Sequence, residues 1–183
     1  MLQRTYILKI AITISYSLPF YEYMQKVIFL LLGLLLAPKP SQEPPVEVIK
    51  FDTLQHLMNR NSQQIEVINF WATWCKPCIK ELPYFQSIHQ QMGDKVNVTL
   101  ISLDFADQLD SKVVPFVKKK GLTAKVLLLD EIDYNSWIDK VDPSWTGSIP
   151  ATLVIDPQSG RRKFVEGELK QEELEEIIRE FTK

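Results

Sequence analysis

An apolar run, Ile65–Phe70, continues through Trp71-Ala72-Thr73 into Trp74-Cys75-Lys76-Pro77-Cys78, after which Leu82, Phe85 and Ile88 recur at helical spacing up to Met92. This junction constrains the fold more than any other feature. A buried strand has to stop where a helix starts, and both of the chain's cysteines sit at that turn. Two thiols so close in sequence cannot staple distant segments, and they fall two ligands short of a structural zinc site. A helix N-terminus bears roughly half a positive charge together with unpaired N–H groups, which stabilise a thiolate. A free cysteine has a pKa near ~8.5, and such a position lowers it by about one to several units. Cys75, at the helix entrance, is therefore the expected nucleophile. Cys78, one turn further in and on the same side, is placed to attack a mixed disulfide formed at Cys75. Pro77 falls in the first turn, where its missing N–H costs nothing. The alternative is a pair of inert buried thiols or a structural disulfide. The flanking Trp74, the inner Pro77 and the lack of other cysteines favour redox chemistry.

From Val46 onward, extended and helical patterns alternate. Val46–Phe51 reads as a strand, and Asp52 with Gln55 three residues on reads as the start of a helix running to about Arg60. After the helix over Lys76–Met92, which Pro83 should kink, come a strand at Val96–Leu103, a helix at Ser111–Lys120 capped by Gly121, and a strand at Lys125–Leu129. A polar, aromatic stretch follows from Asp130 to Gly147. Ala151–Ile155 and Arg161–Val165 form a hairpin across Asp156-Pro-Gln-Ser-Gly160. Lys170–Phe181 closes the chain as an amphipathic helix, with Leu174, Ile177, Ile178 and Phe181 inward and Glu172, Glu173, Glu175 and Glu176 toward solvent. This order implies an α/β domain with a central mixed sheet and helices on both faces.

Residues 1–37 differ in character. Met24-Gln25-Lys26 precedes about ten apolar residues from Val27 to Leu36, matching the h-region of an export signal and too short for a comfortable transmembrane helix. Pro38 to Pro45 reads as a linker. The expectations are an N-terminal extension with a signal peptide or membrane anchor at 1–37, a linker at 38–45 and a folded domain at 46–183. Translation is expected to begin at Met24, because the signal is complete from there. Beyond residue 38 there are 18 Lys and Arg against 22 Asp and Glu, a net charge of −4, so nucleic-acid binding has no electrostatic support.

The segment Val67-Ile-Asn-Phe-Trp-Ala-Thr-Trp-Cys-Lys-Pro-Cys-Ile-Lys-Glu-Leu-Pro83 resembles the active-site segment of the thioredoxin superfamily, and most of all its exported, often membrane-tethered TlpA/ResA-type thiol–disulfide oxidoreductases. The likeness extends from about Val46 to the C-terminus and implies a thioredoxin-like fold. Pro83 matches the helix-kinking proline of that family. Thr146-Gly-Ser-Ile-Pro-Ala-Thr152 is similar to its cis-proline loop, which makes Pro150 the expected cis residue and leaves the Ile149 backbone free to pair with an extended substrate. A trans proline in a turn is the plainer alternative. Where cytosolic thioredoxins carry a buried acid this chain has Asn69. The resemblance then assigns proton transfer from the inner cysteine to Glu81, which neighbours Cys78 at i+3. The residues alone leave Glu81 open as a solvated glutamate beside Lys80.

Trp74 and Trp71 resemble the family's two active-site tryptophans. Trp74 is expected beside Cys75, limiting water access, and Trp71 in the core. Lys76 adds positive charge next to Cys75 or is simply exposed. Trp137 and Trp145 either line a substrate groove or pack beneath a loop. His56 and His89 lack metal-ligand spacing with the cysteines. The resemblance implies an exported disulfide reductase, periplasmic or anchored to the outer face of the cytoplasmic membrane through residues 24–37. It implies disulfide-containing protein substrates, an apocytochrome among them in some relatives, a membrane-bound electron donor and no cofactor. A non-enzymatic binding module, a two-thiolate metal site and a peroxidase are the competing readings. Metal binding is weakened by the lack of a nearby histidine ligand, and a peroxidase by two cysteines one turn apart.

Overall fold

Every residue of Ile65–Trp71 is buried, because this strand, β2, lies inside a sheet covered on both sides. The computed structural model describes residues 22–28, which form a helical stretch considered by itself, and residues 46–182. The expectations for residues 1–21 and 29–45, including most of the apolar run and the linker, lie outside the described residues. Among the described residues, no helix is long and apolar enough to cross a membrane.

The sheet holds six strands in the order β1-β4-β3-β2-β5-β6: β1 (Glu47–Ile49), β2, β3 (Val96–Ser102), β4 (Lys125–Leu129), β5 (Ala151–Ile155) and β6 (Arg162–Glu166). The first four pair in parallel, whereas β5 runs antiparallel to β2 and β6 antiparallel to β5. The sheet is therefore mixed, as the alternation of patterns implies.

Side chains along a strand alternate between faces, and β2 divides its own between two cores. Val67 and Trp71 join one apolar layer with Leu82, Phe85 and Ile88 of α2 (Lys76–Met92), Val117 of α3 (Val114–Lys120) and Leu174, Ile177 and Phe181 of α5 (Gln171–Phe181). Ile68 and Phe70 join the other, with Phe51, Leu54 and Met58 of α1 (Phe51–Met58) and Val141 of α4 (Ile138–Val141). Glu172, Glu173, Glu175 and Glu176 are exposed, as the amphipathic pattern predicts.

Several boundaries differ from expectation. Phe51 opens α1 rather than closing β1, because its ring is buried in the second layer; Lys50 is the N-cap, without a side-chain bond, and Asp52 falls in the first turn instead. The helix expected from Ser111 begins as a π-helical turn, Leu109–Val113, before α3, which ends at Gly121 in the left-handed conformation (φ 61°). Pro83 lies inside α2, which continues past it to Met92. The hairpin's second strand starts one residue later than expected, at Arg162. The polar stretch 130–147 carries α4 and buries both Trp137 and Trp145.

Candidate active site

β2 ends at Trp71 and α2 begins at Lys76, so the dithiol stands at the C-terminal edge of the parallel strands, where α/β sheets place their sites. Three hydrogen bonds to the residues that follow β3 hold the connecting turn. Leu103 N–H donates to the Trp71 carbonyl (2.8 Å). The buried Asp104 carboxylate accepts from Thr73 N–H (2.9 Å), Thr73 Oγ1 (2.6 Å) and Ser102 Oγ (2.8 Å).

Cys75 is the N-cap of α2, with Pro77 in the first turn. Its sulfur accepts the Cys78 N–H at 3.3 Å, so one of the helix's unpaired donors points at the sulfur. Cys75 and Cys78 form a disulfide with Cα atoms 5.3 Å apart. Cys75 is 5% exposed and Cys78 fully buried, so any partner reaches the outer sulfur first.

The Ile149–Pro150 peptide is cis, and the Ile149 carbonyl oxygen lies 3.8 Å from Cys75 Sγ. The sequence thus identified two segments separated by more than seventy residues that the fold brings together. Lys76 and Pro77 are exposed beside the disulfide. Trp74 is 63% exposed, whereas Trp71 is buried in the core as expected, its ring 5.2 Å from that of Phe116.

Glu81 is buried, which removes the reading of a solvated glutamate. It accepts from Asn69 Nδ2 (2.7 Å) and from the Leu169 N–H (2.8 Å). Desolvation raises its carboxyl, the hydrogen bonds from Leu169 and Asn69 offset part of that rise and the Glu168 carboxylate adds to it, leaving the group at about 7. Lys80 points outward and pairs with Glu168. Asn69 also donates to Thr152 Oγ1 at 3.2 Å, tying the site to β5.

Trp137 and Trp145 line no groove. They pack on Phe70, with Trp145 4.6 Å from its ring, as part of the second core. His56 is exposed on α1, and His89 is half-buried near the end of α2, at the opposite end of that helix from the dithiol. Among the described residues, no three His, Cys, Asp or Glu side chains cluster as a metal site.

Sequence reasoning missed Asp104 and the carboxylate of Glu166, which accepts hydrogen bonds from Thr146 and Ser148 just before the cis proline. The one available signal was the run of donors at Thr146 and Ser148; nothing in the sequence pointed to their acceptor.

Comparison with known proteins agrees with this geometry. The model of the AhpC/TSA family matches residues 47–160. The chain is 35% identical over 115 residues to the thiol-disulfide oxidoreductase ResA of Bacillus thuringiensis (strain Al Hakam), covering 63% of this chain and 62% of that protein. It is 27% identical over 115 residues to the thioredoxin-like protein YneN of Bacillus subtilis (strain 168), covering 61% and 62%. The match therefore spans somewhat less than two thirds of either relative. Among solved structures, a DsbF homologue from Corynebacterium diphtheriae superposes with a TM-score of 0.53 at 27% identity, covering 66% of this chain and 73% of that one. A thioredoxin-related protein from Neisseria meningitidis serogroup B, at 24% identity, shares the fold with a TM-score of 0.56, covering 66% and 86%. By its dithiol turn, its mixed sheet and the match over 47–160, the chain belongs to the AhpC/TSA family and has the thioredoxin fold.

Proposed function

We propose that the protein is a thiol–disulfide oxidoreductase whose reduced Cys75–Cys78 pair cleaves disulfides in partner proteins. The Cys75 thiolate attacks one sulfur of the partner's disulfide, forming a mixed disulfide and releasing the other sulfur as a thiolate. The Cys78 thiolate then attacks Cys75 Sγ, which forms the intramolecular disulfide and frees the second partner thiol. Two electrons pass from the dithiol to the substrate. The observation that carries this reading is Cys75 as helix N-cap, its sulfur accepting a helix N–H and facing the Ile149 carbonyl. The partner's chain is read as an extended segment against Ile149 and Pro150, with Trp74, Lys76 and Pro77 exposed around the outer sulfur.

Glu81 is assigned the Cys78 proton. A carboxyl held near 7 takes a proton at neutral pH far more readily than a solvated glutamate does, and its bond to Asn69 ties it to β2. The protein is further proposed to work outside the cytoplasm, held to the membrane's outer face through residues 24–37 or released by cleavage there, and to receive its electrons from a membrane-bound donor. The support is the basic-then-apolar segment Met24–Leu36.

Insulin-disulfide reduction by the purified chain, with dithiothreitol as electron source, tests the activity. Turnover should be lost in Cys75→Ser, and Cys78→Ser should accumulate a mixed disulfide at Cys75. Wild-type turnover no faster than dithiothreitol alone would refute the proposal.

A further inference from the structure

The Ile149 carbonyl sits at the end of a loop, 145–150, that has little regular structure of its own. Its position therefore depends on what holds the loop. Trp145, buried in the second core between Phe70 and Phe164, donates its indole N–H to the Ser148 carbonyl (2.8 Å). Gly167 N–H donates to the Pro150 carbonyl (2.8 Å), closing the far side. Gly147, with φ 92°, turns where an added Cβ would stand 3.1 Å from Ile138 Cδ1. Between these points, the loop's own N–H groups converge on one side chain.

That side chain is Glu166, the last residue of β6, whose Cα stands opposite Ala151 across the β5–β6 ladder. Thr146 N–H donates to its Oε2 (3.0 Å), while Ser148 N–H (3.1 Å) and the Thr146 hydroxyl both donate to its Oε1. Thr146 and Ser148 hydroxyls lie 3.2 Å apart, joining the two ends of the clasp. These bonds lower the Glu166 carboxyl from its ordinary value, so it is ionised at neutral pH. A carboxylate accepting several hydrogen bonds, two of them from backbone amides, is a strong and directional anchor.

We propose that Glu166 is a positioning residue for substrate docking: its carboxylate fixes loop 146–148 so that the Ile149 backbone is presented beside Cys75 to an extended polypeptide. Glu166 itself touches neither sulfur nor substrate. The inference rests on the oxidoreductase reading and adds a determinant of which disulfides the dithiol accepts. A disulfide carried on a polypeptide gains from backbone pairing at Ile149, whereas a small aromatic disulfide has no backbone to pair. Loosening the loop therefore costs the first substrate more than the second.

The chemistry of the replacements differs. In Glu166→Ala both amides and the Thr146 hydroxyl lose their acceptor. In Glu166→Gln a single oxygen remains for Ser148 N–H and the Thr146 hydroxyl, while an amide NH2 now opposes Thr146 N–H. The test compares the full chain with both variants, using insulin and 5,5′-dithiobis(2-nitrobenzoate) as substrates. In Glu166→Ala, KM for insulin should rise roughly tenfold, and the ratio of insulin to small-disulfide kcat/KM should fall about as much. Glu166→Gln should fall between wild type and Ala. Where the Ala variant does not fold, the Gln variant alone decides, by the same ratio. Parallel loss with both substrates, or an unchanged ratio in the folded variants, overturns the inference. Wild-type protein inert toward both substrates would instead remove the oxidoreductase reading on which it rests.

Discussion

Glu81 is the residue whose protonation the fold controls most directly. Its carboxyl titrates at about 7, against the 4.5 of an unperturbed glutamate. Between those values the folded chain keeps a proton that the unfolded chain has released. The contribution to stability is fully present below about 4.5 and is lost as pH rises through about 7, by on the order of 3 kcal/mol. Urea denaturation of the oxidised chain at pH 5 and pH 8 should show that loss, and Glu81→Gln should largely flatten it; an equally steep fall in the variant would assign the dependence to other groups. The same substitution should slow release of a mixed disulfide by Cys78 about a hundredfold at neutral pH, measured by quenched-flow trapping. Cys75 and Cys78 with Pro77 form a pattern short enough to read as a redox pair, whereas the roles proposed for Ile149, Pro150 and Glu81 came from the resemblance of their segments to a known family. Glu81's burial was not readable, because the backbone donor of Leu169 reaches it from eighty-eight residues away.

The turn between β2 and α2 has few bonds of its own and borrows rigidity from β3. Asp104 supplies it, accepting from Thr73 twice and from Ser102 once while buried. Asp104→Ala leaves the Thr73 and Ser102 donors without that acceptor and should cost about 3 kcal/mol, with Asp104→Asn costing less because one oxygen acceptor remains. Equilibrium denaturation measures both, and a change under ~0.5 kcal/mol in the alanine variant would show that the turn holds itself. At the other end of the sheet, Gly121 closes α3 at φ 61°, with open space where a Cβ would go. Gly121→Ala should therefore cost only the conformational term, about 1 kcal/mol. Strands and long helices were legible to within a few residues because burial imposes their periods. The misplaced start of α1 shows the limit: Asp52 is a good N-cap by composition, yet Phe51 enters the helix because its ring fills the second core. Asp104 and Glu166 act through contacts thirty-one and eighteen to twenty residues away, which local pattern does not encode.

At the scale of the whole domain, β2 joins the two apolar layers, since its alternate side chains enter each. Phe85 on one side and Phe70 on the other are both fully buried. Phe85→Ala and Phe70→Ala should each cost about 3–5 kcal/mol, and each should lower one shared thermal transition. Two separated transitions would show that the layers unfold independently. The same sheet carries the Cys75 turn on β2 and the Ile149 loop into β5, adjacent strands that pair from Phe70 with Ala151 down to Glu66 with Ile155. The dithiol and its docking edge are thus fixed to one rigid support, and the helix end acts on a sulfur that is already in place. The most direct test is to titrate the reduced chain by thiolate ultraviolet absorbance, with Cys75→Ser as reference. The account predicts a Cys75 midpoint at least about one unit below the ~8.5 of a free cysteine, absent from the variant; a midpoint at or above ~8.5 would contradict it.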